Sequence, residues 1–278
     1  MTGILRAPVV VCVLGLILLC SVACPAHASA SSGGAHIVRV PILMYHYIRV
    51  NPNPRDRVGA DLSVTPDNFA QQMRLLAAKG FHTVSMDELA TAILTGAPLP
   101  SHPIALTFDD GYEDFYAAAF PILKRYGFDA TSFIITGKVG WKGYLTWDQM
   151  REMQATGLVQ FESHTVDHVT MNRISRARAD YELRASKSAL EKHLGSHVDV
   201  FCYPSGRYNI AVESLVAQDG YIAGVSTQPG IVHNIADLLA LTRMRIHGGD
   251  TTQGFALKLG LSAPVPAHTI KKHPAGAL

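Results

Sequence analysis

The sequence has few cysteines and little net charge. Of its four cysteines, Cys12, Cys20 and Cys24 lie in an apolar N-terminal segment, so a chain that loses this segment keeps only Cys202. Such a chain can form no internal disulfide, and it must bind any metal through histidine and carboxylate side chains. The 24 basic and 22 acidic side chains leave a formal charge of +2. This balance gives no reason to expect nucleic acid as a partner and favours a neutral or mildly charged ligand.

The longest apolar run, residues 8–20, is too short to favour a membrane-spanning helix. Arg6 precedes it, and Ala26-His27-Ala28 follows with the small-x-small pattern of a signal-peptide cleavage site. We therefore expect residues 1–28 to be a signal peptide and the protein to be exported to the periplasm, the cell surface or the medium. Lipidation at Cys24 is the less favoured alternative, because Ser21 stands where such signals usually have leucine. Peripheral or lipid-mediated association of the protein with a membrane is therefore an alternative as well.

The rest of the chain has the composition of one folded domain. Hydrophobic residues make up 48% of the 278 residues and charged residues 17%, which excludes disorder and allows one buried core. Residues 29–39 are predicted to be a linker, and residues 40–262 are predicted to form the domain. Residues 263–278, which contain prolines, are predicted to be a loose tail.

Short apolar runs alternate with amphipathic stretches along this domain. Strands are predicted at residues 40–45, 81–84, 104–108, 130–135, 159–162, 200–203, 221–225 and 241–246, and helices at residues 66–79, 86–94, 113–126, 147–155, 176–194, 210–218 and 252–259. Thr65 is a predicted N-cap, and Thr146 and Gln149 form a predicted capping box. Seven or eight parallel strands alternating with helices favour an α/β fold that is a single, distorted β/α barrel. Residues 51–62 are predicted to be a long loop that rims the site.

Two adjacent carboxylates, Asp109 and Asp110, follow the predicted strand 104–108 in the segment Thr-Phe-Asp-Asp-Gly. This position is the carboxyl-terminal mouth of a β/α barrel, where catalytic residues collect. Adjacent carboxylates repel each other unless a cation or a shared proton compensates. A plain turn in which Asp110 caps the next helix is the competing interpretation.

Two histidines, His164 and His168, follow the predicted strand 159–162. Imidazoles four residues apart converge on one ion if the chain turns tightly between them. Because both motifs lie at the carboxyl ends of predicted parallel strands, an aspartate and two histidines can meet at one metal ion and leave positions open for water and substrate.

These motifs resemble those of the polysaccharide deacetylase family, also called the NodB-homology domain or carbohydrate esterase family 4. The resemblance rests on the Asp109-Asp110 segment, on His164 and His168, and on Tyr203-Pro204-Ser205-Gly206-Arg207-Tyr208-Asn209. It covers roughly residues 40–261, and the short poly-N-acetylglucosamine deacetylases look most similar.

The resemblance implies a role for each motif. Asp110, His164 and His168 would bind one divalent ion, with zinc the expected metal, and Asp109 would be the general base.

The third motif is implied to act on the oxyanion and the base. A backbone N–H near Tyr203 and Pro204 would hold the oxyanion. Arg207 would orient the base, although it falls after Gly206 rather than before the proline. Arg243 and Arg245 alternate with apolar residues along a predicted strand, so both should point to the same side of it. Either one of them meets Asp109, or both face solvent.

Other candidates depart from the family pattern or stand outside it. No clean Leu-x-x-His motif supplies a general-acid histidine; His247 is the nearest candidate, with a rim histidine as the competing interpretation. His46 follows the first predicted strand and either reaches the mouth or is hydrogen-bonded at the rim. Trp141, Tyr144 and Trp147 either stack on sugar rings or pack in the core.

The sequence therefore predicts an exported, metal-dependent hydrolase that removes N-acetyl groups from an amino-sugar polysaccharide such as poly-β-1,6-N-acetylglucosamine. Deacetylation of peptidoglycan or chitin and xylan O-acetyl esterase activity are alternatives at the same site. A non-catalytic carbohydrate-binding protein is the alternative of a different class, and the presence of all four metal and base residues argues against it.

Overall fold

The computed structural model of the protein describes residues 36–261. The predicted signal peptide, the first part of the predicted linker and the predicted tail lie outside these residues. No helix within residues 36–261 is long and apolar enough to cross a membrane.

The strands form one large sheet and two small ones. They are β1 (Val38–Arg39), β2 (Ile42–Tyr45), β3 (Tyr47–Ile48), β4 (Ser63–Val64), β5 (His82–Thr83), β6 (Pro103–Phe108), β7 (Ala130–Ile134), β8 (Val159–Ser163), β9 (Val200–Cys202), β10 (Ala223–Val225), β11 (Val232–His233) and β12 (Met244–Arg245). Seven of them pair in parallel in the order β10, β9, β8, β7, β6, β2, β12, and β5 pairs with the start of β6. β1 pairs with β11, and β3 with β4.

The large sheet curls so that its two edge strands approach each other. Just before β12, the Leu241 N–H donates to Gly224 O of β10 at 2.8 Å, and the Ser226 N–H donates to Leu241 O at 2.9 Å. These bonds connect the two edges and give the distorted β/α barrel that the sequence predicts.

Side chains along the barrel strands alternate between the interior and the outer surface. In β6, Ala105 packs in an interior cluster with Ile42 and Phe133, whereas Leu106 and Phe108 belong to the larger core under the helices. This period of two points Asp109, the next residue in the inward series, into the mouth of the barrel.

The helices surround the sheet, and one of them closes the barrel. They are α1 (Arg57–Leu62), α2 (Pro66–Ala78), α3 (Met86–Thr95), α4 (Phe120–Tyr126), α5 (Trp147–Ala155), α6 (Arg176–Leu194), α7 (Ile210–Gln218) and α8 (Thr252–Lys258). The buried side of α3 packs against the interior cluster at the amino-terminal end of the strands. The predicted caps are confirmed, because Thr65 accepts from the Asn68 N–H and Thr146 and Gln149 form a capping box.

One local prediction was wrong. Residues 51–62 are not a continuous loop, because α1 begins at Arg57, where the Asp56 carboxylate accepts a hydrogen bond from the Gly59 N–H at 2.8 Å. The helix predicted at residues 113–126 is confirmed, and it contains a π-helical turn at Phe115–Ala119 just before α4. Pro121, which has no N–H to donate, explains the irregular hydrogen bonding at this junction.

Candidate active site and metal centre

Asp109 and His164 lie at the mouth of the barrel because each continues a central strand. The Asp109 N–H donates to Tyr45 O of β2 at 2.9 Å, and the His164 N–H donates to Ile134 O of β7 at 3.0 Å. Both residues are buried, with 3% and 2% of their surface exposed. Continued strand pairing therefore fixes the backbone of both residues before any ligand binds.

Asp110, His164 and His168 come together as the sequence predicts. The Asp110 Oδ1 atom is 3.4 Å from the Nε2 atom of His164 and 3.4 Å from that of His168. Asp110 Oδ1 is buried and has no hydrogen-bond donor within the described residues. A buried carboxylate oxygen without a donor is costly, and this one faces two imidazole nitrogens, which are atoms of a type that commonly binds metal ions. The three side chains thus form a group that can hold a metal ion.

The tautomer of His164 suits a metal ligand. Its Nδ1 atom is 2.7 Å from the backbone carbonyl of Cys202, to which it can donate its proton. The lone pair of Nε2 is then free and points towards Asp110.

Asp109 has a different partner from its neighbour. Arg243, whose side chain is fully buried, donates Nη1 and Nη2 to the two Asp109 oxygens at 2.7 Å each. Burial alone would raise the pKa of Asp109, but the guanidinium of Arg243 outweighs burial and holds that pKa below its ordinary value. Arg243 is itself fixed by Ser226 O at 2.9 Å and Thr107 Oγ1 at 3.1 Å. Asp109 is therefore an ionised carboxylate in a rigid orientation.

A second group of three residues, Asp109, His164 and Cys202, also has metal-ligand spacing. Three observations argue against it. Both oxygens of Asp109 are taken by Arg243, and His164 directs Nδ1 at a carbonyl. Burial raises the pKa of the Cys202 thiol, which favours the protonated form. The group around Asp110 is the better metal centre.

A buried glutamate fixes the loop that carries His168. The Glu182 Oε2 atom accepts hydrogen bonds from the N–H groups of Val166 and Asp167 at 2.8 and 3.0 Å, and Oε1 accepts from Arg178 Nε at 2.9 Å. Glu182 has no exposed surface. The sequence prediction missed this residue; its only sign was a carboxylate on the buried face of α6, between Ala179 and Ser186.

His46 lies at the site rather than away from it. Its Nε2 atom is 4.0 Å from Asp109 Oδ2, and 13% of its side chain is exposed. Of the two predicted alternatives for His46, the structure favours the one at the mouth.

The other predicted site residues do not reach the metal centre. Tyr203 donates its N–H to Val225 O and its hydroxyl to Leu239 O, because the alternation in β9 turns Cys202 inward and Tyr203 outward. Pro204 is buried in a tight turn and has no N–H to offer an oxyanion. The predicted oxyanion role of this pair is therefore not supported.

The two basic candidates also lie elsewhere. Arg207 is exposed, and its place beside the base is taken by Arg243. His247 pairs with Asp61 of α1 through Nδ1 at 2.8 Å and has 42% of its side chain exposed, as expected for a rim histidine. The alternation of basic and apolar residues at 243–246 was the sequence signal for Arg243. The pattern alone did not show whether the Arg243 side chain meets Asp109 or faces solvent.

Comparisons with known proteins agree on one family. Residues 96–224 match the profile of the family described as polysaccharide deacetylase. A Bacillus subtilis protein provisionally named polysaccharide deacetylase YxkH is 35% identical over 218 residues, which are 78% of this chain and 75% of that protein. The poly-β-1,6-N-acetyl-D-glucosamine N-deacetylase of Staphylococcus epidermidis is 26% identical over 73% of this chain and 78% of its own length. The structure of the Streptococcus pyogenes deacetylase PplD in complex with acetate is similar with a TM-score of 0.74 and 36% identity, covering 80% of this chain and 98% of that one.

Proposed function

The chain belongs to the polysaccharide deacetylase family, and from that premise we propose that it is a metal-dependent N-deacetylase of poly-β-1,6-N-acetylglucosamine. The observation that carries the proposal is the pair of differently surrounded aspartates: Asp110 faces two histidines with an oxygen that lacks a donor, while Asp109 is held by Arg243. One carboxylate is thus available to a metal ion and the other to a proton.

The choice of polymer is supported by the relatives rather than by a single contact. The S. epidermidis protein, which matches 73% of this chain, is named for activity on poly-β-1,6-N-acetyl-D-glucosamine. Peptidoglycan, chitin and acetylated xylan are the alternatives. Acetate release from each of these four polymers, measured beside free amine formation, decides among them and separates N- from O-deacetylation.

The proposed chemistry divides between the metal centre and Asp109. Asp110, His164 and His168 would hold a divalent ion, for which we propose zinc, and the ion would supply Lewis acidity towards water and the acetyl carbonyl. Asp109 accepts the proton of the attacking water, because its carboxylate is ionised and Arg243 holds it beside the centre.

His46 is the proposed route for the returning proton. The Asp109 Oδ2 atom lies 4.0 Å from His46 Nε2, and catalytic contacts that are long without substrate often shorten when substrate binds. His46 then delivers this proton to the leaving nitrogen, so that the C–N bond breaks with release of an amine and acetate. His247, which is paired with Asp61, is not needed for this step.

The proposal predicts different losses for the two aspartates. Asp109→Asn should retain the metal but lower turnover by about two to four orders of magnitude, the usual contribution of a positioned general base. Asp110→Asn, His164→Ala and His168→Ala should lose metal as well as activity. Metal content and acetate release are measured for each variant, with the exposed Asp148→Asn as a control that should match the wild type.

Two outcomes would contradict these assignments. If Asp109→Asn emptied the site and Asp110→Asn kept its metal, the two roles would be exchanged. If the wild-type protein bound oligosaccharide with metal present but released no acetate, the non-catalytic alternative would hold.

A further inference from the structure

Three aromatic side chains, Tyr47, Tyr112 and Tyr144, form a row that we call the aromatic row. It adjoins the candidate metal centre along the chain, because Tyr47 directly follows His46 and Tyr112 lies two residues after Asp110. Tyr47 and Tyr112 stack with 3.7 Å between their ring centroids, and Tyr112 is 5.2 Å from Tyr144. Lys138 lies 5.2 Å from the ring centroid of Tyr144 and 5.8 Å from that of Trp141. The row thus runs from β3 to Trp141 through successive side-chain contacts.

The loop that carries Trp141 is attached to both metal-binding segments. The Leu145 N–H donates to Gly111 O at 2.9 Å, next to Asp110. The Gly137 N–H donates to Val166 O at 2.9 Å, within the loop between the two histidines. A Cβ atom at Gly137 would lie 2.7 Å from this carbonyl oxygen, so the close approach requires glycine.

Trp141 is exposed, although its backbone is fixed. Its side chain has 62% of its surface exposed. Its N–H donates to Lys138 O at 3.0 Å, and its carbonyl accepts from the Tyr144 N–H at 3.0 Å. The other tryptophan, Trp147, instead packs on His193 with 4.2 Å between the rings. A fixed, exposed indole beside a catalytic centre is a ready binding surface for an amphipathic ligand.

We propose that Trp141 and the adjoining aromatic row form a subsite for a pyranose ring of the polymer, next to the sugar that is deacetylated; this rests on the proposed function. The apolar C–H face of the sugar would lie on the indole, and its hydroxyls would meet the phenol groups of the row. The subsite takes an N-acetylated sugar rather than a glucosamine, because Lys138 lies by both Trp141 and Tyr144 and repels an ammonium group.

The presence of two tryptophans in the chain gives a direct test. Trp147→Phe leaves Trp141 as the sole tryptophan, and Trp141→Phe leaves Trp147. N-acetylglucosamine oligomers should change the emission of the Trp147→Phe protein and not that of the Trp141→Phe protein, when recorded by stopped flow within the first turnover. Fully deacetylated oligomers should bind to the Trp147→Phe protein about tenfold more weakly, a difference of about 1.4 kcal/mol.

Kinetics add a second readout. Trp141→Ala should raise KM for the oligomers about tenfold and leave the hydrolysis of a small aryl acetate ester unchanged. Trp141→Phe should restore most of the affinity, and Tyr181→Ala, an exposed aromatic on α6, is the matched control.

The outcomes separate this proposal from the proposed function. Saturable oligomer hydrolysis without a response of Trp141 overturns the subsite and leaves the function standing. A response of Trp141 without acetate release supports the subsite and contradicts the function. Equal affinity for acetylated and deacetylated oligomers overturns the assigned preference for N-acetylated sugar.

Discussion

Asp109 and Asp110 are chemically identical neighbours whose surroundings give them different tasks. Asp109 continues the inward series of β6 and meets the buried guanidinium of Arg243. The chain then turns sharply, with a φ of 76° at Asp110, a left-handed conformation that is costly for aspartate. This turn directs the second carboxylate at His164 and His168 instead of at Arg243. Strained backbone conformations cluster at functional sites, and the one at Asp110 fits its proposed role as a metal ligand.

Arg243 gives a prediction at the same scale. Arg243→Lys keeps the charge but cannot form both parallel hydrogen bonds to Asp109, so turnover should fall about ten- to a hundredfold, the value of one or two charged hydrogen bonds. Metal content should not change, and KM should change less than kcat. Steady-state kinetics and metal analysis are run together with thermal unfolding, because a purely structural role would lower the melting temperature without a selective loss of kcat.

Arg207→Lys is the matched control for this experiment. Arg207 occupies the family-like third motif but is exposed, so its variant should keep wild-type turnover. A loss of turnover in Arg207→Lys with wild-type turnover in Arg243→Lys would show that the motif position, and not the buried ion pair, orients the base.

At the scale of elements, the sequence predicted what local patterns encode. Continuous apolar runs predicted the barrel strands, and the caps at Thr65 and Thr146 located the starts of α2 and α5. Because the strands are parallel and the side-chain period is two, placing Asp110, His164 and His168 at one mouth required no knowledge of distant contacts.

Features that depend on long-range pairing were not predictable in this way. Arg243 reaches Asp109 only because residues 241–245 bond to β10 on one side and β2 on the other. The pattern of residues 243–246 shows an alternation but does not show which strands lie beside it. Tyr203 was misplaced for a related reason, since its family-like motif outweighed the alternation that turns it outward.

Helix α6 is predicted to tune the metal centre through Glu182. Glu182→Gln replaces one acceptor oxygen by an amide NH2 group, which cannot accept a hydrogen bond. The one oxygen that is left cannot accept both from the Val166 and Asp167 N–H groups and from Arg178. The loop that carries His168 should then be held less firmly, and zinc affinity should fall about ten- to a hundredfold, as for other residues that orient metal ligands. Chelator competition measures this affinity.

The control for Glu182 is Asp180→Asn on the same helix, where the side chain is 41% exposed and the carboxylate pairs with Arg184. Its zinc affinity should equal that of the wild type. Unchanged zinc affinity in Glu182→Gln, with lowered thermal stability, would limit Glu182 to holding the fold.

At the scale of the whole molecule, the two ends of the barrel differ: one is packed with apolar side chains and the other carries the candidate site. Helix α3 closes one end with apolar side chains, and the described polar residues of the site collect at the other. Cys202 lies between them, fully buried, with its Sγ atom 3.3 Å from Arg243. The described residues therefore hold together by core packing and buried ion pairing, and their one cysteine forms no disulfide.

Export is the last prediction, and it concerns residues outside the described part of the chain. The apolar run at residues 8–20 and the Ala26-His27-Ala28 segment lead us to propose that the mature protein begins at Ser29 and carries no lipid. Mass spectrometry of the protein from its native host should give the mass of residues 29–278. Cys24→Ser should leave this mass unchanged, whereas Ala28→Leu should block cleavage because signal peptidase requires a small residue there. A diacylated Cys24 in the wild-type protein, lost in Cys24→Ser, would instead make the protein a membrane-anchored lipoprotein whose catalytic domain acts on polymer at the cell surface.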